Sequence, residues 1–137
     1  MKKKTVIACL LTGWLLASGA FAQIKKGKAR PLETKIWMRN VNGPFCTDLG
    51  KLLKEGPADD KAWAKATEDA QLLSEAGHVL MADGRCPDAV WADAAKQLRE
   101  GSEAVLKALE AKDAADARNQ FAKVTGACKA CHSAHRK

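Results

Sequence analysis

AADARNQFAKVTGACKACHSAH, residues 114–135, carries Ala114, Ala117, Phe121, Val124, Cys128, Cys131 and His135 at alternating steps of three and four. Those steps average close to the 3.6-residue turn of an α-helix, so the seven side chains form one stripe along it. Such a stripe needs other helices to cover it. The composition supplies them: there is no tyrosine, β-branched residues are few, and Ala, Leu, Lys and Glu abound. Strand signals are nearly absent, and the spacing predicts an all-α chain.

The same stretch contains Cys128-Lys129-Ala130-Cys131-His132, a C-x-x-C-H run. Its chemistry is that of c-type haem attachment: two thiols form thioethers with haem vinyl groups, and the imidazole ligates iron. On a helix, Cys128 and Cys131 share a face and reach one edge of a flat macrocycle. His132 is rotated by a further ~100° and can turn its ring toward the iron. A dithiol redox pair would call for a βαβ setting, which the sequence lacks. Zinc held by Cys128, Cys131, His132 and His135 would need ligands packed along one helix to surround a tetrahedral ion. Haem is the reading that the spacing favours.

The rest of the chain sets compartment and architecture. Met1-Lys2-Lys3-Lys4, the mostly apolar run from Val6 to Leu16, and Ala20-Phe21-Ala22 predict a cleaved export signal over 1–22, with Cys9 inside its apolar part. Cleavage leaves 115 of the 137 residues and lowers the net charge from +7 to +4. A periplasmic location follows, where thiols can oxidise. Residues 23–30, with Lys25, Lys26, Lys28 and Arg30, form a basic arm ahead of the domain expected over 31–137. The arm is short and has no interleaved aromatics, so nucleic acid is not expected as a partner. The apolar run is too short and interrupted to predict a membrane span.

Pro31 suits a helix start, followed by Ile36, Trp37, Met38 and Val41. Asn42-Gly43-Pro44 predicts an interruption before Phe45, Leu49, Leu52 and Leu53 resume the spacing. A second helix is predicted from about Asp59 to Met81, with Trp63, Ala66, Ala70, Leu73, Gly77 and Leu80 on its seam. A third runs from about Asp88 to Ala111, with Trp91, Ala94, Leu98, Val105 and Leu109 inward. Segments of this kind joined by short loops predict an antiparallel four-helix bundle, its Ala-rich core leaving room for a flat cofactor.

With these features the chain resembles the class II c-type cytochromes, the cytochrome c′ group, which carry C-x-x-C-H on the last helix of a four-helix bundle. The resemblance covers most of the expected mature chain as architecture and its final dozen residues as motif. It implies one covalent haem c on Cys128 and Cys131, with His132 as the proximal axial iron ligand. Arg136 falls where the family keeps a basic residue, and His135 stands where an aromatic is usual. The break at Asn42-Gly43-Pro44 departs from the family's long first helix.

The resemblance also implies that the sixth iron position faces the first helix. Met38 is the candidate ligand there, ahead of His78, Met81 and His135. A thioether on iron suits electron transfer, whereas an open position suits small gases. Cys46 and Cys86 remain unassigned, and export permits a disulfide between them, worth about 3–4 kcal/mol in the chain-entropy model. The sequence thus points to a monohaem one-electron carrier rather than an enzyme, serving redox partner proteins, with the first helix as the surface through which two copies could pair. The alternatives are a five-coordinate protein binding nitric oxide or carbon monoxide, and a zinc-stapled or metal-free helical interaction module.

Overall fold

Three of the helices begin in the same way, with an aspartate whose carboxylate takes the place of a missing helical acceptor. Asp59 accepts from the Ala62 amide at 2.7 Å, Asp88 from Trp91 at 2.9 Å and Asp113 from Asp116 at 2.9 Å. Each satisfies a first-turn N–H that no carbonyl can reach, and each puts negative charge at the positive end of the helix dipole. The helices that follow are Asp60–Met81 (α3), Ala89–Glu110 (α4) and Ala114–His135 (α5). The computed structural model describes residues 31–136, so the expected signal 1–22 and basic arm 23–30 lie outside the described residues.

Ahead of them stands a single rod: Thr34–Trp37 (α1), a π turn over Met38–Asn42, and Gly43–Glu55 (α2). The interruption expected at Asn42-Gly43-Pro44 is not a break. The backbone stays in the right-handed helical region at Met38, Asn42 and Gly43, and the Gly43 amide donates to the Met38 carbonyl five residues back. Pro44 has no amide to give, and the wider turn lets its ring in without ending the helix. A Cβ at Gly43 would lie 3.1 Å from the Met38 oxygen, so the missing side chain eases the tight approach.

The described residues therefore form a four-helix arrangement without strands. α2 ends at Gly56, whose φ of 81° takes the left-handed conformation that glycine enters freely. Asp83 and Gly84, with φ of 56° and 69°, turn the chain after α3. At the end of α4, Lys112 takes φ 57°; its amide donates to Leu109 and that of Asp113 to Ala108. That pair of bonds closes the helix as a Schellman turn.

α4 lies in close contact with both neighbours. A Cβ on Gly77 of α3 would come within 2.8 Å of the Ala95 carbonyl, and one on Gly101 within 2.7 Å of Val124 Cγ2 on α5. α2 meets α5 through Gly50, whose Cβ would sit 3.2 Å from the Phe121 ring, and through Arg118. The Arg118 guanidinium donates to the Leu53 carbonyl at 2.8 Å and to that of Lys54 at 3.0 Å. It thereby satisfies carbonyls left open where α2 ends. Leu49, Leu53, Leu73, Val105, Leu109, Phe121 and Val124 fill the core between these contacts. Buried Arg85 reaches back from the turn after α3 to Thr34 Oγ1 at 2.9 Å and the Leu32 carbonyl at 2.8 Å. It anchors the start of the first rod. No helix among the described residues is long and apolar enough to cross a membrane.

Candidate cofactor site

At the end of the bundle away from Arg118, the small residues Ala94, Ala95 and Ala127 take the place of the large ones. Alanine reaches only one carbon from the backbone, so the helices stay spaced by their packing elsewhere and a cleft of about 220 Å³ remains. Leu80 and Leu98 add apolar wall, as does Trp91, whose indole N–H donates to the Leu80 carbonyl at 2.8 Å and so holds the ring in place. From α5 come Ala127, Cys128, Cys131 and His132; from the first rod come Met38, Asn42, Gly43, Cys46 and Thr47.

Met38, Cys46, Cys128, Cys131 and His132, all singled out from the sequence, meet here. Cys131 is buried, Cys128 half-buried and His132 exposed, so imidazole and thiols face a single cleft with a solvent-accessible mouth. Met38 is half-buried on the facing rod. Met38, Asn42 and Cys46 recur every four residues and form one stripe across the π turn. His78 and Met81 are exposed and do not line the cleft. Arg136 is exposed just past α5, where its amide donates to the His132 carbonyl at 3.0 Å.

His135 also stands outside the cleft. Its ring lies edge-on to Trp91 with centroids 5.3 Å apart, and Nε2 is 3.3 Å from Asp88 Oδ1. It braces the end of α5 against the start of α4 and does the packing work of an aromatic side chain at that position.

The expected Cys46–Cys86 bridge is not made. Both thiols are free, and they have different neighbours. Cys86 Sγ donates to the Asp88 carbonyl at 3.4 Å in the turn before α4. Cys46 instead lines the cleft opposite Cys128, from the facing helix, near enough for each thiol to act on the other's acidity. The periodicity of α2 turns Cys46 toward α5, and sequence distance says nothing of that. Their proximity separates the two acidities: the interaction with Cys128 lowers the Cys46 thiol to about 7 against the opposing effect of burial. The same interaction, then burial, pushes Cys128 up. Cys131 is raised by burial and, less, by the Asp88 carboxylate.

Among the lining residues that local spacing does not mark as parts of a site, Asn42 and Trp91 stand out. Asn42 was grouped with a chain interruption, yet it is buried and its Oδ1 has no hydrogen-bond partner. A buried amide oxygen without a partner is costly, and its presence in an apolar cleft suits a bound group that brings its own polar edge. Trp91 was read as core and serves as a wall. Its place four residues from Ala95 and seven from Leu98 carried the signal only for an inward face.

The donors fit a covalently held haem: two thiols at the i, i+3 spacing, an adjacent imidazole, a facing thioether, and walls that are otherwise apolar. They fit zinc less well. Among the described residues no three His, Cys, Asp or Glu side chains group so as to hold a metal ion by themselves. Comparison of the chain with protein-family models, with curated proteins and with solved structures returns no match.

Proposed function

We propose that the chain is an exported, monohaem c-type cytochrome that carries single electrons between redox partner proteins in the periplasm. The observation that supports this most is the meeting of Cys128, Cys131, His132 and Met38 on one cleft with apolar walls. The first three are a local motif, but Met38 comes from the other end of the sequence. When bound, haem c supplies a ferric/ferrous couple, which needs no substrate pocket and no proton donor.

The protein's own residues do the rest. Cys128 and Cys131 would hold the group through thioethers, and His132 would give its imidazole to the iron. Met38 would offer a thioether from the facing rod, which would favour the reduced state. Leu80, Trp91 and Leu98 would keep water out of the cleft, and a low dielectric there would keep reorganisation small during electron exchange. His132 is exposed, which leaves the mouth of the cleft open to a partner. In this reading the bundle is antiparallel. The pairs Leu53–Arg118 and Gly50–Phe121 run in opposite senses along α2 and α5, and the same sense of run brings His132 to the level of the Met38–Asn42 turn.

The test is co-expression of the full chain with a haem-attachment system, followed by visible spectra of the oxidised, reduced, and carbon-monoxide-treated reduced forms. A sharp low-spin reduced α-band that resists carbon monoxide is expected. A broad high-spin spectrum that shifts with the gas would replace electron transfer with the gas-binding reading. A chain with no covalent haem would sink both and leave a helical interaction module. Met38→Ala should turn the six-coordinate spectrum five-coordinate, and an unchanged spectrum would remove Met38 as a ligand.

A further inference from the structure

Haem attachment uses Cys128 and Cys131 and leaves Cys46 without a role, although it lines the same cleft as Cys128 from the facing helix. The two thiols come from different helices, and the antiparallel register set by Leu53 with Arg118 and Gly50 with Phe121 brings Cys46 to within a turn of the level of Cys128 on the cleft. Cys128 and Cys131 are also neighbours, but on one helix. Side chains three apart on a helix hold their Cβ atoms about 5–6 Å apart, wider than the 3.5–4.5 Å of a disulfide. Closing that pair would distort α5. Cys86 is held elsewhere, against the Asp88 carbonyl.

We propose that, in the haem-free chain, Cys46 and Cys128 form a disulfide that staples the first rod to α5 and withholds Cys128 from haem attachment until it is reduced. The bond itself stands on the geometry of the cleft; its effect on attachment rests on the haem reading. The oxidant is a disulfide of the glutathione class or a dithiol oxidase of the exported compartment. Cys46 sulfur attacks the oxidant's S–S bond as a thiolate, giving a mixed disulfide and one free thiol. Cys128, losing its proton, then displaces the second thiol. In all, two cysteine thiols are oxidised, one disulfide is reduced to two thiols, and an S–S bond joins α2 to α5. Once Cys128 carries a thioether the bond cannot form, so the staple and the cofactor exclude one another.

Trypsin makes the pattern readable, because every described cysteine falls on its own peptide: residues 40–51, 86–96, 124–129 and 130–136, with Lys129 dividing the C-x-x-C pair. The full chain, produced without a haem-attachment system, is equilibrated with oxidised glutathione, alkylated, digested without reductant and weighed. Peptides 40–51 and 124–129 should appear chiefly as one linked species, lighter than their sum by two hydrogens, with Cys86 and Cys131 alkylated. A dominant link between 124–129 and 130–136, a link between 40–51 and 86–96, or a scrambled mixture would overturn the proposal.

The gating role is read separately, by haem incorporation into the oxidised chain with and without added thiol. Wild type should need the reductant, with several-fold lower incorporation in its absence, whereas Cys46→Ser should take up haem equally in both. The same dependence in the variant overturns the gate. A 46–128 link in a chain that never accepts haem would leave the disulfide standing and sink the cofactor reading instead.

Discussion

The two ends of this bundle are built from the same four helical rods and differ mainly in side-chain size. At one end Leu49, Leu53, Leu109 and Phe121 meet, and Arg118 pins the last carbonyls of α2. At the other, Ala94, Ala95 and Ala127 face Met38, Asn42 and Cys46 across a cleft. Large apolar side chains close the first end and contribute its stability through burial. Small ones hold the second open at the expense of that burial. An apolar group bound in the cleft would restore the missing contacts, so stability and ligand capacity are divided along one helical axis.

Substitutions can break or sharpen this contrast. Leu53→Ala at the closed end should cost about 2–5 kcal/mol in urea unfolding, since it leaves a cavity where Leu53 is 1% exposed. A loss under ~1 kcal/mol would mean that the closed end is not the tighter one. Gly101→Ala tests the contact of α4 with α5. Its Cβ would stand 2.7 Å from Val124 Cγ2, so the expected loss is about 1–3 kcal/mol. A melting temperature equal to wild type would show that Val124 gives way freely.

Asp69 on α3 supplies a pH-dependent probe of the packed region. Its side chain is fully buried, with Oδ1 paired to Lys65 and Oδ2 unpartnered. Burial raises its carboxyl above the ordinary 3.8, more than the Lys65 ammonium lowers it. A raised acid favours the folded state most below its unfolded pKa, and that contribution is lost as pH rises through the folded pKa. Asp69→Asn keeps an acceptor for Lys65 without the charge. It should raise stability at neutral pH, with the gain shrinking as pH falls toward the ordinary carboxylate range. Parallel urea titrations at neutral pH and in that range check this, and a variant less stable at both would refute it.

The smallest expected change in stability is at the open end. Ala94→Leu points into the cleft and should alter unfolding by less than about 1 kcal/mol. If the cleft takes haem as proposed, the same variant should reduce haem incorporation, because the added carbons fill part of the cleft. A large loss of stability would mean that the cleft is tighter than its lining implies.

The helices were legible because their signals are local. The expected Asp59–Met81 and Asp88–Ala111 segments match α3 and α4 to within a residue at each end. The stripe from Ala117 to Val124 is buried as its spacing implied. The first rod was misread at Asn42-Gly43-Pro44, since the residues that end a helix also permit a π turn. Which outcome occurs depends on what packs against the rod beyond the turn, and here α2 continues into contact with α3 and α5.

By itself, the sequence determined the helical character, the aspartate at the head of α3, and the C-x-x-C-H motif with the chemistry it allows. Each depends on residues within a turn or two of one another, where periodicity and bonding rules apply directly. Tertiary structure alone decided that Cys46 shares a cleft with Cys128 rather than pairing with Cys86, and that Asn42 is buried there. Those pairings depend on how whole helices rotate and slide as their large and small side chains interlock, which no local spacing encodes.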